Sequence, residues 1–462
     1  MPKRSGSFLA LSLALLVSLA TPVLSQRVAE SAGHEPRSVG AVVSEAERAG
    51  IRTGVAVFDA NGRRLHAFRA EEAFIPASNQ KLITAVAFLQ AFGRNFQFET
   101  GFQVADGELI VRAGADPNWR SGTEYDPSAL FERVARELLK ERHNRIRGVR
   151  IDLGSYTGPR RGTSWPEGQL DRSYCAPSGA LSLDGSRYAV QVRRGGGQYN
   201  ATVQVLQPSS GAPMIGSIQF GGGAPGVRLR DGHFELSGSI GRNAGTKNLR
   251  GNVEEPEALF SASLQTAFRS NGVRLDPNAP RFDAELRSVR TSARPTLERI
   301  LRESNNFDAE QCFRRLGAEL GDGSYSGAAR AVEEHLRDLG VEVPRSAFLA
   351  DGSGLSRDNQ LTPDLVCEVL HRASTTDFAS ELLDLLPHPG MRDSTLERRF
   401  EGRLDRGLRA KTGTIRGVSA LSGFVETGNG RYAFSILMEG AGSSTMRRFQ
   451  ERIVQAIRRE AS

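Results

Sequence analysis

A serine and a lysine three residues apart could form a catalytic pair near the N-terminus. Ser78 and Lys81 belong to the sequence Ser78-Asn79-Gln80-Lys81, the only S-x-x-K in the chain. Residues three apart on a helix project from the same face, so the Lys81 amine would lie beside the Ser78 hydroxyl. A neutral lysine in that position can accept the serine proton and activate the oxygen for nucleophilic attack. Taken alone, the motif also fits an exposed serine and lysine on a helix surface.

Two further short motifs, S-x-N and then K-T-G, follow the S-x-x-K sequence along the chain and favour the catalytic interpretation. Ser304-Asn305-Asn306 is the only S-x-N in the chain, and Lys411-Thr412-Gly413 is the only K-T-G. Only five of the 60 basic residues are lysines, so a lysine in two of the three motifs is unusual for a chance match. The three motifs together predict a serine nucleophile activated by lysine.

Other hydrolytic chemistries have little support in the sequence. There is no G-x-S-x-G sequence, and none of the seven histidines lies near a serine in a recognisable nucleophile elbow, which disfavours a Ser-His-Asp hydrolase. There is no H-E-x-x-H or C-x-x-C sequence either. Cys175, Cys312 and Cys367 are interpreted as small buried hydrophobic residues, of which two could pair.

The elements that must position the first motif are a hairpin and a buried helix. Residues 54–58 and 64–68 flank Asn61-Gly62, which is typical of a β-hairpin. The helix is expected to start after Pro76, with Ser78 just inside it, and to end at Gly93. Unpaired backbone N–H groups at this helix start could then stabilise an oxyanion.

The rest of the chain alternates between β-rich and helical segments. Residues 96–285 contain many short strand-like runs broken by glycines, whereas helical periodicity returns over residues 295–319 and 328–339. Two strand-like runs near the C-terminus, joined through residues 428–430, predict a meander. Phe449, Ile453 and Ile457 share one helical face, which favours a helix packed on that sheet over a membrane-surface anchor.

Composition and the N-terminus indicate an exported globular protein. The chain has 462 residues, 39% of them apolar, which suits about three domains and excludes a disordered protein. Residues 1–25 carry Lys3 and Arg4 before an apolar run, which is typical of a cleaved secretory signal peptide. Without these two residues the net charge falls from +7 to +5, and an exported destination argues against nucleic acid as a partner. No integral membrane segment is expected after cleavage.

The three motifs resemble those of the penicillin-recognising serine D,D-peptidases. More narrowly, the chain resembles the low-molecular-mass class C D-alanyl-D-alanine carboxypeptidase/endopeptidases, which carry a long insert between S-x-x-K and S-x-N. The likeness begins near Ala41 and runs to the C-terminus through the segments GVAVFDA, PASNQKLITA, AGADPNW, SYCAPSGALSLDG, SNNFDAEQ, DGSGLSRDNQLTP and AKTGTIRGVSALSGF.

The resemblance implies an α/β (α+β) fold, with an antiparallel sheet covered by helices and a helical subdomain. It implies a catalytic domain formed by residues 26–95 and 286–462, and a β-rich insert formed by residues 96–285. The insert would have an outer part, residues 96–175 and 251–285, around a nested part, residues 176–250.

The resemblance also assigns roles to the motif residues. Ser78 would be the nucleophile and Lys81 its base, with Ser304, Asn306 and Lys411 completing the catalytic set. The backbone N–H groups of Ser78 and Thr414 would hold the oxyanion. Lys411, Thr412 and Thr414 would bind the substrate carboxylate, with Gly413 between them.

The partners implied are peptidoglycan stem peptides as substrates and β-lactam antibiotics as covalent inhibitors, in the periplasm or at the outer face of the cytoplasmic membrane. No metal or organic cofactor is required. The alternatives are a β-lactamase-like or esterase-like hydrolase that uses the same serine, and a catalytically inactive peptidoglycan-binding protein.

Overall fold

The computed structural model describes residues 38–194, 200–209, 211–400 and 407–462. The predicted signal peptide, residues 1–25, lies outside these ranges. Within the described ranges, none of the helices combines the length and the apolar character needed to cross a bilayer.

The first described segment forms a helix, a hairpin and a second, buried helix. Its elements are α1 (Val39–Arg48), β1 (Arg52–Phe58), β2 (Arg64–Phe68) and α2 (Gln80–Phe92). Strands β1 and β2 pair in antiparallel fashion, which confirms the predicted hairpin. Helix α2 is buried over most of its circumference and ends at Gly93, whose φ of 73° suits a glycine at the helix C-terminus.

The central segment is rich in short strands. Its elements are β3 (Gln97–Ala105), β4 (Glu108–Arg112), α3 (Pro127–Lys140), β5 (Arg145–Ile146), β6 (Gly148–Asp152), β7 (Arg187–Arg193), β8 (Thr202–Gln207), β9 (Met214–Gly216), β10 (Gln219–Phe220), β11 (Pro225–Arg230), β12 (His233–Ile240), β13 (Lys247–Asn252), α4 (Pro256–Ser270), β14 (Arg274–Leu275), β15 (Ala284–Glu285) and β16 (Val289–Ser292). Helices α3 and α4 pack with these strands around an aromatic cluster formed by Trp119, Phe131 and Phe260.

The last segment supplies most of the helices and three long strands. Its elements are α5 (Arg294–Leu301), α6 (Asn306–Glu319), α7 (Tyr325–Asp338), α8 (Pro363–Ala373), α9 (Ala379–Leu385), β17 (Leu408–Ile415), β18 (Val418–Thr427), β19 (Gly430–Glu439) and α10 (Ser443–Glu460). The predicted meander is confirmed, with an additional turn at residues 416–417 between β17 and β18.

A five-stranded antiparallel sheet combines strands from the first and the last described segments of the chain. Its strand order is β17-β18-β19-β1-β2, so β17, which carries the K-T-G sequence, lies at an edge. Helices α1 and α10 cover one face, and Phe449, Ile453 and Ile457 are buried there, as expected for a helix packed on the sheet. Helix α8 covers the other face and continues into the core formed by α2, α6 and α7.

The central segment is attached to helix α6 by buried polar contacts. The Gln311 side chain accepts a hydrogen bond from Gly179 N (3.0 Å) and donates one to Gly179 O (2.9 Å). Asp308 is fully buried and forms ion pairs with Arg120 (2.7 Å) and Arg299 (2.8 Å). Burial opposes ionisation of Asp308, but the two guanidinium groups outweigh it and lower the pKa of this carboxyl.

Replacing Asp308 by alanine should destabilise the protein strongly, because it leaves the Arg120 and Arg299 guanidinium groups without their buried counter-charge. We expect a loss of about 3–5 kcal/mol in the free energy of unfolding, measured by urea denaturation. Arg290→Ala is the control, since it removes an ion pair with Glu99 in which both side chains are exposed, and it should cost less than about 1 kcal/mol. Equal unfolding midpoints for the two variants would contradict this assignment.

Candidate active site

Ser78 lies in a short turn that precedes helix α2. The turn is a 3₁₀ helix, Ala77–Asn79, and the α-helix itself begins only at Gln80. The helical segment therefore starts after Pro76 with Ser78 just inside it, as expected, but its first turn is 3₁₀ rather than α. Ala77 has a φ of 44°, a left-handed conformation, and the tighter turn still directs the partly exposed Ser78 towards Lys81.

The Lys81 amine is fully buried and is held by three oxygen atoms. It is 3.1 Å from Ser78 Oγ and donates to Asn306 Oδ1 (2.7 Å) and to the carbonyl oxygen of Ser353 (2.6 Å). Burial lowers the pKa of Lys81 to about 8, while the negative charges of Asp351 and Glu310 act in the opposite direction. With this pKa about one amine in ten is neutral at pH 7, compared with fewer than about one in a thousand for an ordinary lysine, and the neutral form is the one that a general base requires.

The S-x-N sequence lies where the helical segment of residues 294–319 is interrupted. Helix α5 ends at Leu301 and α6 begins at Asn306, with Ser304 between them at a φ of 63°. The side chain of Asn305 caps α6 by accepting a hydrogen bond from Asp308 N (3.2 Å). Asn306 therefore projects from the first turn of α6, where its amide donates to the carbonyl oxygen of Tyr174 (2.9 Å) and its own oxygen faces Lys81.

Lys411 is the second fully buried lysine of the site. Its amine lies 2.9 Å from Ser304 Oγ and 2.8 Å from the carbonyl oxygen of Thr412. Burial, and then the charge of Lys81, lower the pKa of Lys411 well below its ordinary value. Burial is the principal cause of the lowered pKa for both lysines. Among the described residues, no carboxylate lies within ion-pair distance of Lys411.

Gly413 allows strand β17 to lie directly against the serine turn. A Cβ atom at this position would lie 2.9 Å from the carbonyl oxygen of Pro76 and 3.0 Å from Ser78 N. The Asn79 side chain links the same turn to the sheet, since it lies 3.0 Å from Lys411 O and 2.6 Å from Ser422 Oγ. The turn and the strand are therefore fixed at close range.

All the residues proposed from the three motifs converge on one cleft. A cavity of about 530 Å³ is lined by Ser78, Ser304, Ser394, Thr395, Glu397, Arg398, Arg399, Thr412, Thr414 and Arg447. The side chains of Lys81, Asn306 and Lys411 lie below this lining. Lys81 is within hydrogen-bond distance of Ser78 and Asn306, and Lys411 is within hydrogen-bond distance of Ser304. The guanidinium of Arg447 donates to Thr414 Oγ1 (3.3 Å) at the far end of the K-T-G strand.

Sequence reasoning missed the groups that support Lys81 from below. Glu310, Asp351 and the backbone of Ser353 are buried next to it, and Tyr174 contributes only a carbonyl oxygen. The first three belong to SNNFDAEQ and DGSGLSRDNQLTP, but nothing in their residue types indicates contact with Lys81. Backbone carbonyl ligands leave no signal in side-chain identity.

The other candidate functional groups do not form a second centre within the described residues. Cys175, Cys312 and Cys367 are all buried and unpaired in the structure. In the described part of the chain, no group of three or more His, Cys, Asp or Glu side chains is arranged to hold a metal ion.

Comparison with known proteins identifies the family. The sequence profile of the D-Ala-D-Ala carboxypeptidase 3 (S13) family matches residues 37–460. The chain belongs to this family. It is 29% identical to the D-alanyl-D-alanine carboxypeptidase of Actinomadura sp. (strain R39), over 91% of this chain and 84% of that protein. It is 26% identical to the D-alanyl-D-alanine carboxypeptidase DacB of Haemophilus influenzae, over 79% of this chain and 80% of that protein.

The fold of this carboxypeptidase also matches a solved structure. Penicillin-binding protein 4 (DacB) of Haemophilus influenzae superposes with a TM-score of 0.71 at 23% identity, covering 91% of this chain and 98% of that one. The resemblance inferred from the three motifs is thereby confirmed, together with the α/β fold class and the assignment as a serine-type D-Ala-D-Ala carboxypeptidase.

Replacing Gly413 by alanine should slow the enzyme without unfolding it. The added Cβ must push the turn and the strand apart by a few tenths of an ångström, because its nearest neighbours are backbone atoms. We expect D-alanine release from a peptide ending in D-Ala-D-Ala to fall by on the order of 10- to 100-fold in kcat/KM. Gly428→Ala, in the turn between β18 and β19, has no atom within 4 Å of its new Cβ and should leave the rate unchanged. Parental activity in the Gly413 variant would rule out this close contact.

Proposed function

We propose that this carboxypeptidase hydrolyses the terminal D-Ala-D-Ala bond of peptidoglycan stem peptides through an acyl-enzyme on Ser78. The observation that carries the proposal is the 3.1 Å separation of Ser78 Oγ from a fully buried Lys81 amine with a lowered pKa. A buried amine of this kind is a suitable general base for serine at neutral pH.

In the proposed first step, Ser78 Oγ attacks the carbonyl carbon of the penultimate D-Ala while Lys81 takes the hydroxyl proton. The proton then has to reach the nitrogen of the leaving D-Ala. Ser304 is well placed to relay it, because its hydroxyl lies in the cleft and is hydrogen-bonded to Lys411. Water would release the acyl group by the reverse route, with Lys81 again accepting a proton.

The developing oxyanion would be held by backbone N–H groups of Ser78 and Thr414. Strand β17 is an edge strand, so groups on its outer side are not used by the sheet. The close approach of Gly413 to Ser78 N supports this role, since it brings the strand and the serine amide to the same point. In comparable enzymes, loss of one oxyanion donor costs about 3–4 kcal/mol of transition-state stabilisation.

The free carboxylate of the substrate would bind beside Lys411, Thr412 and Thr414. Lys411 is buried with no carboxylate partner among the described residues, so an incoming carboxylate would supply the missing counter-charge. The bound carboxylate would also favour the charged form of Lys411. The positive charge of Lys411 would in turn favour the neutral form of Lys81. Substrate binding and activation of the base would therefore support each other.

We further propose that β-lactam antibiotics acylate Ser78, because they mimic the D-Ala-D-Ala end. The DacB protein of Haemophilus influenzae has been solved in complex with a β-lactam; its fold matches with a TM-score of 0.67 at 21% identity. The same cleft could accept D-Ala–diamino-acid cross-links, which would add an endopeptidase activity. The alternative of an inactive binding protein is disfavoured because the lysines, serines and asparagine of all three motifs are in contact.

Export to the periplasm, or to the outer face of the cytoplasmic membrane, would bring the enzyme to this substrate and is supported by the signal-like sequence of residues 1–25. We also propose the division into a catalytic domain of residues 26–95 and 286–462 and an insert of residues 96–285. The shared five-stranded sheet supports it, because its strands come from both ends of the chain.

The nucleophile can be tested by labelling with a fluorescent penicillin followed by peptide mapping. The parent enzyme should carry the label on the peptide that contains Ser78, and Ser78→Ala should carry none. Lys81→Ala should label at least about 100-fold more slowly, since it keeps the nucleophile but lacks the base. Ser419→Ala, a buried hydroxyl on β18 outside the cleft lining, is the matched control and should label like the parent. Label retained by Ser78→Ala would overturn the assignment.

A further inference from the structure

The Lys81 base rests on a short glycine-containing loop, residues 351–354, which is itself held by two buried carboxylates. The peptide group between Ser353 and Gly354 accepts the Lys81 hydrogen bond through its carbonyl (2.6 Å) and donates its N–H to Asp351 Oδ1 (2.7 Å). The two preceding amides donate to Glu310: Gly352 N to Oε2 (3.1 Å) and Ser353 N to Oε1 (2.9 Å).

The loop is wedged between helix α6 and the serine turn. A Cβ atom at Gly352 would collide with Phe313 Cβ on α6, and one at Gly354 would collide with the carbonyl oxygen of Ala77. Gly354 also has a φ of 78°, which only glycine adopts without strain. Thr84 on α2 donates a further hydrogen bond to the carbonyl oxygen of Gly352 (2.8 Å). The position of the loop thus determines where the Ser353 carbonyl points.

Glu310 lies at the base of this arrangement and has no role in the catalytic steps proposed above. Its side chain is fully buried, and both its oxygens accept backbone N–H groups of the loop. Asp351, by contrast, belongs to the loop and accepts hydrogen bonds mainly from the residues that follow it. Its four donors are Gly354 N, Ser356 N, the Asn359 side-chain amide and Trp165 Nε1. Removing Asp351 would therefore disrupt the loop itself, whereas Glu310 supports it from the outside.

We propose that Glu310 is a positioning residue for Lys81: it aims the Ser353 carbonyl at the amine and, in its ionised form, stabilises the ammonium formed when Lys81 takes the Ser78 proton. The proposal rests on the roles assigned above to Ser78 and Lys81. In the step concerned, the Ser78 O–H bond breaks, its proton binds to Lys81 Nζ, and the oxygen forms a bond to the substrate carbonyl carbon. Glu310 exchanges no atom and does not touch the substrate.

The charges around the two groups fix the direction of the expected effect. Lys81 is faced by Glu310 on α6, by Asp351 on the loop and by Lys411 on β17. Glu310 is faced by Asp351 and Lys81, and by the buried hydroxyl of Tyr325 on α7. Burial, and then Asp351, raise the pKa of Glu310 to about 8, whereas the two loop amides and Lys81 oppose that rise. Glu310 is therefore partly ionised over the pH range in which Lys81 titrates. Its negative charge and that of Asp351 raise the Lys81 pKa, so removing Glu310 lowers the Lys81 pKa further.

The test is the pH dependence of acylation by a fluorescent penicillin in the full-length enzyme. The second-order rate constant of the parent should rise with pH as Lys81 loses its proton. In Glu310→Gln the midpoint of this rise should fall by about half a pH unit, because a partly ionised carboxyl whose charge raises the Lys81 pKa is lost. The plateau rate should fall about 5- to 10-fold, because the ammonium formed in the transition state has lost its counter-charge. A midpoint equal to that of the parent would overturn the proposal.

Asp116→Asn is the matched control for removal of a buried carboxylate. Asp116 is buried in the central segment, accepts hydrogen bonds from Asn118 N and Thr291 Oγ1, and has a pKa raised to about 6 by burial. It lies outside the cleft lining, so its replacement should leave the midpoint and plateau of acylation unchanged. An equal shift in this variant would attribute the effect to general destabilisation and overturn the proposal.

Glu310→Asp separates charge from position and serves if the glutamine variant does not fold. It keeps the negative charge but withdraws it by one methylene group from the loop amides. The midpoint of the rise in acylation rate with pH should stay within about 0.3 pH units of that of the parent, while the plateau rate falls. Folding of the variant is checked by circular dichroism. A parental plateau, or a downward midpoint shift like that expected of Glu310→Gln, would contradict the proposal. Loss of labelling in Ser78→Ala alongside an unshifted Glu310→Gln would refute only this inference and leave the proposed function intact.

Discussion

The arrangement depends on the burial of two lysine amines side by side in one cleft. Lys81 and Lys411 are both fully buried, and among the described residues each amine contacts hydroxyl, amide or carbonyl oxygens and no carboxylate directly. Desolvation disfavours the charged form of each amine, and the charge of one disfavours the charge of the other. The site therefore sheds a proton at a pH where an exposed lysine would hold it, and this makes Lys81 available as a base.

The groups around Lys81 limit how far burial lowers its pKa and fix the position of its amine. The negative charges of Glu310 and Asp351 act against burial and raise the Lys81 pKa. Helix α6 carries both Asn306 and Glu310, and its buried Asp308 connects it to Arg120 of the central segment. The carbonyl of Tyr174, also from the central segment, completes the hydrogen bonds of Asn306. Residues far apart in the chain thus converge on one amine.

The sequence predicted the motif residues and the main elements, because these are recorded in side-chain identity and periodicity. The hairpin around Asn61-Gly62, the end of α2 at Gly93 and the packing of Ile453 follow from local rules. The 3₁₀ turn at Ser78 and the break at Ser304 do not, because tertiary contacts with the sheet and with Lys411 select those conformations over a continuous helix. Glu310 was missed because its partners are backbone amides.

The most direct test of the central claim is the titration of Lys81 itself. The chain has only five lysines, so NMR of the enzyme with ¹³C-labelled lysine side chains should resolve Lys81 and Lys411 from the exposed Lys140 and Lys247. Single replacements of Lys81 and Lys411 by arginine assign the two buried signals. The Lys81 signal should titrate with a pKa of about 8 in the free enzyme. A Lys81 side chain that remains an ammonium up to a pH of about 10 would contradict it.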